Sequence, residues 1–271
     1  MTAIDAHADA GEAAILSVRN LAKSFGGLKA INDVSFDARA HEVTALIGPN
    51  GAGKTTVFNL VTNIMARDAG RVTFSGRDLV NLSPVKIAGL GLVRTFQSAR
   101  VFPGMTALEN VMVGAHRLAR HSLAGQALWL RGARDEEQRL RRRAEEMLEL
   151  VRLSPFASTH ATELPMGAQK LLEVVRALMA QPKLLCLDEP AAGLNDTETE
   201  ELANLLRAIR KLGIPVVIVE HNMSLVMNVA DRIVVLDSGA IIATGTPSEV
   251  QNNSRVIEAY LGKEGQGDAA S

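Results

Sequence analysis

Cysteine is almost missing from this chain: 271 residues contain one, Cys186, in the apolar run LLCL. A lone thiol cannot close an intrachain disulfide, so no staple framework is expected. Its setting marks it as a small core residue, and a reducing compartment fits that reading. Long apolar runs are missing too. IPVVIV at 214–219 and RIVVLD at 232–237 are strand-length, far below the roughly 18 residues of a membrane helix. No basic segment followed by an apolar one opens the chain, so no secretory signal is expected. Nor is there an excess of one charge. The 29 Lys and Arg stand against 30 Asp and Glu, a net charge of −1, which argues against nucleic-acid binding. No internal repeat is present.

What is there is a folding composition, 47% hydrophobic and 22% charged, with enough chain for a sizeable core. Residues 1–13 and 263–271 are small and polar and read as flexible tails. ILSVRNL at 15–21, VSFDAR at 34–39, VTALIG at 43–48 and RVTFSG at 71–76 read as strands. KTTVFNLVTNIM at 54–65 has helical spacing. The stretch 98–165 changes character, with helical patterns and no convincing strand. Within it, LRRRAEEMLELV at 140–151 puts Leu140, Ala144, Met147, Leu148 and Val151 on one face. Glu137–Arg141, Arg141–Glu145 and Arg142–Glu146 are spaced as i,i+4 ion pairs on the others, so the arginine cluster reads as a solvated helix face. From 168 the alternation resumes: helices at about 168–181 and 197–212, strands at 184–188 and 215–220, a terminal pair around Ser238–Gly239, and a short helix at 253–261. The expected architecture is an α/β core interrupted by a helical insertion.

Two segments carry chemistry. GPNGAGKTT at 48–56 places Gly48, Gly53, Lys54 and Thr55 in the pattern G-x-x-x-x-G-K-[ST], after an apolar strand and before a helix. Such glycines let successive N–H groups turn inward onto phosphate oxygens, and the helix adds its positive end. Lys54 reaches the β- and γ-phosphates, and Thr55 offers a hydroxyl to Mg²⁺. Asn50, Gly51 and Thr56 belong to the same ATP-contacting loop. The second segment, LLCLDEP at 184–190, delivers Asp188 at a strand's carboxyl end, where open α/β sheets bind ligands. A carboxylate there holds Mg²⁺, mostly through water. Glu189 next to it orients or deprotonates the attacking water.

Taken together, these residues resemble the nucleotide-binding domain of ABC transporters, over about 14–262. The resemblance implies a P-loop NTPase core of the ABC ATPase type at about 14–97 and 166–250. An N-terminal antiparallel β portion, a helical insertion at about 98–165 and the C-terminal helix complete it. It implies further roles for four residues. Phe25 in LAKSFGGLKAI stands where the family stacks an aromatic on adenine. Gln97 in VRTFQSARVF matches the glutamine loop, which senses Mg²⁺ and the attacking water and touches the membrane subunit. His221 in VIVEHNM matches the histidine that contacts the γ-phosphate. Asn195 in PAAGLND sits in the loop after the catalytic glutamate, where many members have Asp, and its amide still hydrogen-bonds across a dimer.

The signature loop departs from the family's L-S-G-G-Q. This chain has Leu164, Pro165, Met166, Gly167 and Ala168, then Gln169. Pro165 removes a hydroxyl and a backbone donor, although proline is compatible with a helix start. Two hydrogen bonds to a charged phosphate are worth roughly 1.5–3 kcal/mol each, so a weakened composite ATP site, or compensation by the partner, is expected.

FGGLKAI, DEPAAGLN, EHNMSLVM and VIEAYLG, with the long insertion at about 117–146, are most similar to the ATPases of bacterial branched-chain amino acid importers. That implies ATP and Mg²⁺ as cofactors. Its partners would be a second ABC ATPase, a non-identical paralogue or a second copy, and two permease subunits. A periplasmic binding protein would take part indirectly, and the chain would lie peripherally on the cytoplasmic face of the inner membrane. Urea, amides, other organic acids or lipid export remain open as cargo. A soluble ABC ATPase of translation or repair usually has two nucleotide domains or a long coiled coil, absent here. A subunit that binds ATP without turnover is opposed by Glu189 and His221.

Overall fold

The structure, a computed structural model, describes residues 14–95, 101–116 and 131–264. Residues 96–100, which include Gln97, 117–130 of the expected insertion, the N-terminal tail 1–13 and 265–271 lie outside the described residues, and Lys263 and Glu264, expected in the C-terminal tail, belong to the last helix.

Two sheets form the frame. The first joins β1 (Ala14–Phe25), β2 (Leu28–Arg39), β4 (Ala69–Phe74) and β5 (Arg77–Asp78), all antiparallel, in the order β2-β1-β4-β5. The second has six strands in the order β10-β9-β3-β8-β7-β6. These are β3 (Val43–Ile47), β6 (Leu92–Arg94), β7 (Leu184–Asp188), β8 (Val216–Val219), β9 (Arg232–Asp237) and β10 (Ala240–Gly245). All but β10 run parallel.

Both faces of this second sheet are buried, which is why its strands read as unbroken apolar runs. Val43, Ala45 and Ile47 of β3 face one core, with Leu185, Leu187, Val216, Ile218, Ile233 and Val235. Leu46, Leu184, Cys186, Val217, Val219, Val234 and Leu236 face the other. Alternation of period two survives inside each run. The second core lies toward the antiparallel sheet and α1 (Lys54–Val61), with α2 (Pro84–Leu90) at its edge. The first is covered by α3 (Ala107–Val113), α4 (Arg131–Leu150), α5 (Met166–Met179), α6 (Asp196–Lys211) and α7 (Met223–Val229). Two short C-terminal helices, α8 (Pro247–Gln251) and α9 (Ser254–Glu264), complete the described chain.

The helical stripe on α4 is as expected: Ala144 and Leu148 are fully buried, and Leu140 and Met147 pack beside them. Of the expected surface pairs, Arg141–Glu145 closes at 3.3 Å. In the described parts of 98–165 no strand forms, only a single bridge between Thr106 and His160. Three helices start on reciprocal caps, Thr106 with Glu109, Asn195 with Glu198 and Thr246 with Glu249, each satisfying two otherwise orphaned N–H groups. Helix α1 is shorter than the spacing over 54–65 suggested. Thr62 turns its hydroxyl back onto the Phe58 carbonyl at 2.7 Å, and Asn63 enters the left-handed region at φ 52°. The left-handed residue ends helical propagation, and the back-bonded hydroxyl weakens the turn before it.

Candidate nucleotide site

Parallel pairing puts three loops side by side. Leu46 pairs with Val219, and Val219 with Asp188. The carboxyl ends of β3, β8 and β7 are therefore level, and Gly48, Glu220–His221 and Asp188–Glu189 emerge from one edge of the sheet. That edge is where open α/β sheets receive ligands.

The loop 48–53 is held by geometry that glycine alone permits. Gly48 has φ 152°, and a Cβ there would run into the Leu236 carbonyl oxygen of β9. Behind the loop, the β9–β10 turn at Ser238–Gly239 has positive φ at both residues, as a tight hairpin turn requires. Its Gly239 N–H donates to the Ala52 carbonyl at 3.1 Å. The AYLG segment contributes as well. Tyr260 of α9 lies against the Gly48 backbone, and burial pushes its phenol up to about 12. Lys54, buried at the start of α1, donates to the Gly48 and Pro49 carbonyls at 2.7 and 3.0 Å. Its ammonium thus spans the mouth of the loop. Asn50, Gly51 and Thr55 are exposed on the open side, and Gly53 and Thr56 are half-buried beside them.

Asp188 is 3% exposed and held by one oxygen only. Its Oδ2 accepts from Arg94 Nη2 at 2.6 Å, while Oδ1 is buried with no hydrogen-bond partner among the described residues. A buried carboxylate oxygen left unmatched by protein is an acceptor for a cation or its water. Together with the exposed Thr55 hydroxyl at the start of α1, the donors the sequence pointed to are all oxygen, a set that suits a hard ion such as Mg²⁺.

Glu189 follows at φ 47°, a strained value for a residue with a side chain, costing on the order of 1–3 kcal/mol. The strain is sustained because its N–H donates to the Val219 carbonyl at 2.9 Å and its own carbonyl accepts from Ala192 at 3.1 Å. The effect is to aim the carboxylate at the loop of β8, where His221 Nδ1 lies 4.0 Å from Glu189 Oε2. His221 is exposed, so a ligand reaches it without rearrangement.

Three further residues organise this edge, and the sequence reading singled out none of them. Arg94 is one. Glu220, fully buried, accepts from the Ala191 N–H at 2.7 Å and from those of His221 and Asn222 at 3.0 and 3.1 Å. It welds the loop after Glu189 to the loop that carries His221. The third is Lys170 of α5, whose ammonium lies 3.5 Å from the Glu189 carbonyl oxygen. Burial holds its pKa below the usual lysine value, against the pull of Glu220, Glu173 and Glu189. Apolar strand ends flanking Glu220 were a usable signal for a buried carboxylate. Nothing near Arg94 or Lys170 in sequence marks them.

The remaining expected residues sit apart from this cluster. Phe25 ends β1 with its ring 46% exposed and the Lys23 ammonium 5.8 Å from its centroid. That leaves a free aromatic face at the rim. The signature segment begins α5: Leu164 and Gly167 are buried, Pro165 and Met166 exposed. Pro165 takes the N-cap place, and Gln169 Nε2 returns to the Leu164 carbonyl at 2.8 Å. Asn195 is engaged within the chain as a helix cap, its Oδ1 accepting from Glu198 N at 3.0 Å. Gln97 cannot be placed, being outside the described residues.

Comparison with known proteins gives the family. A family model described as ABC transporter matches residues 31–192, and one described as branched-chain amino acid ATP-binding cassette transporter matches 240–265. The high-affinity branched-chain amino acid transport ATP-binding protein LivG of Salmonella typhimurium is 43% identical over 92% of this chain and 98% of its own. The corresponding BraF of Pseudomonas aeruginosa is 42% identical over the same shares. Among solved structures, the ADP conformation of an ATP-binding cassette of an ABC transporter superposes with TM-score 0.79. It is 34% identical, covering 92% of this chain and 99% of that one.

Proposed function

Since the chain belongs to the ABC transporter ATP-binding family and hydrolyses ATP to power transport, we propose that it energises the import of branched-chain amino acids. The observation that carries the mechanism is the common edge of β3, β7 and β8, which gathers the phosphate loop, Asp188, Glu189 and His221. We read 14–262 as one nucleotide-binding domain, with a core at about 14–97 and 166–250, an insertion at about 98–165 and short tails.

Gly48, Asn50, Gly51, Gly53, Lys54, Thr55 and Thr56 bind the phosphates, and Phe25 stacks on adenine. Lys54 exchanges its two carbonyl partners for phosphate oxygens, a stronger charge-assisted contact. Thr55, Asp188 and Gln97 hold Mg²⁺, which when bound neutralises charge on the phosphate oxygens. Glu189 takes the proton of the attacking water, and the strained backbone presents its carboxylate for that task. His221 contacts the γ-phosphate from the opposite loop.

ABC cassettes work as dimers with transmembrane permease subunits. In this chain, Leu164, Pro165, Met166 and Gly167 face the partner's nucleotide. The partner is a paralogous ATPase or a second copy, two permeases lie above, and a periplasmic binding protein delivers the cargo. No described helix is long and apolar enough to cross a membrane. The proposed place of the chain is peripheral, on the cytoplasmic face of the inner membrane.

Glu189→Gln tests the central assignment. Loss of a positioned charge at the reacting centre lowers turnover by on the order of 10²–10³, with ATP still bound. Undiminished hydrolysis would remove Glu189 from the mechanism. Uptake of labelled leucine by the assembled complex tests the cargo.

A further inference from the structure

We propose that Arg94 is a positioning residue for the metal site, fixing Asp188 relative to Thr55 so that both meet one cation. The inference rests on the reading of Asp188 and Thr55 as the cation-holding pair.

Arg94 is the last residue of β6, and its side chain is 8% exposed. Its guanidinium makes three contacts from two nitrogens. Nη2 donates to Asp188 Oδ2 at 2.6 Å, and Nη1 donates to Asn59 Oδ1 at 2.8 Å and Thr62 Oγ1 at 3.1 Å. The group also lies over the Phe58 ring, 5.3 Å from its centroid. Phe58, Asn59 and Thr62 all belong to α1 or its cap, and α1 is the helix that begins at Lys54–Thr55. One planar cation therefore ties the strand that carries Asp188 to the helix that carries Thr55.

Stability does not account for this arrangement. A buried ion pair gains little over well-packed apolar residues, because desolvation offsets the attraction. The arrangement does impose an orientation. With Oδ2 committed to Arg94, the carboxylate cannot rotate, and Oδ1, buried and without a partner among the described residues, is the oxygen left for a cation. Partners that orient a metal ligand in this way act on metal affinity through geometry. Lysine cannot replace the arginine, since a point cation lacks the planar fork that reaches both elements at once.

The test is a Mg²⁺ titration of the binding of a fluorescent ATP analogue to the full chain, with a parallel measurement in EDTA. In Arg94→Lys, half-saturating Mg²⁺ rises about 10-fold or more, while metal-free analogue affinity stays within about twofold of wild type. Asn59→Ala and Thr62→Val, which leave the pair with Asp188 intact and keep the test open if Arg94→Lys folds poorly, raise it by less and in the same direction. An unchanged Mg²⁺ requirement in all three variants overturns the inference. So do equal losses with and without metal, the mark of general structural damage. A wild-type chain whose analogue binding ignores Mg²⁺ overturns the metal site itself, a different failure from that of Arg94.

Discussion

Glu220→Gln is a near-isosteric change with a calculable cost. The carboxylate is fully buried and accepts three backbone N–H groups, from Ala191 on one oxygen and from His221 and Asn222 on the other. The amide has one acceptor and one NH₂, so whichever way it turns, donor meets donor. Turned toward His221 and Asn222, the NH₂ forfeits two charge-assisted bonds. Turned toward Ala191, it forfeits one, at a buried amide that water does not reach. The cheaper turn sets the cost at about 1.5–3 kcal/mol, and the surviving bonds weaken with loss of the charge. A total of about 3 kcal/mol lies within the usual margin of a folded domain, so the variant remains folded. Urea denaturation measures the loss. Turnover is the second readout: the Ala191 bond anchors the loop after Glu189, so kcat falls more than ATP affinity does. A stability change under about 0.5 kcal/mol, the range of an ordinary surface substitution, would refute the role of Glu220 as a buried clamp.

Two other experiments probe the frame. Asn195→Ala removes the side-chain oxygen that caps Glu198 N, while the backbone N–H of residue 195 still donates to Glu198 Oε2; the lost cap costs about 1 kcal/mol in denaturation experiments. Cys186 is fully buried, and burial pushes its thiol up to about 12. At pH 8 it therefore resists alkylation in the native chain and reacts only on unfolding; rapid native labelling would contradict its place in the core.

The phosphate loop and both catalytic strands were legible in the sequence because their signals are local. A strand buried on both faces writes an apolar run, and the loop after it writes its glycines. Helix α2 and strand β6 were not legible. They are 7 and 3 residues long, too short for either period to register. Arg94 was hidden for another reason. Its partners stand 35, 32 and 94 positions away in the chain, so only the paired strands reveal that they share one guanidinium. The glutamate before His221 lay in plain view within VIVEHNM, and three loop amides converging on it are a tertiary fact.

The signature segment shows the same division between local pattern and tertiary cause. Gly167 is buried in the first turn of α5, and a Cβ there would lie 2.7 Å from Glu198 Cγ. Glu198 cannot retreat without releasing the Asn195 N–H, which it accepts at 3.0 Å. Gly167 therefore lets the N-terminus of α5 come close to the Glu198 side chain at the start of α6, a side chain fixed by its own helix cap. Leu164 is anchored from the other side by its burial and by Gln169. Of the departures from the family pattern, Pro165 and Met166 fall on exposed positions, Met166 being 58% exposed, and Ala168 on a half-buried one. In the proposed role of this segment, facing a partner's ATP, what Pro165 subtracts is a hydroxyl and an N–H at an exposed position. Restoring serine at 165 in the assembled complex tests that division. It raises ATP turnover if those donors limit the composite site, and an unchanged rate means that the partner already compensates for them.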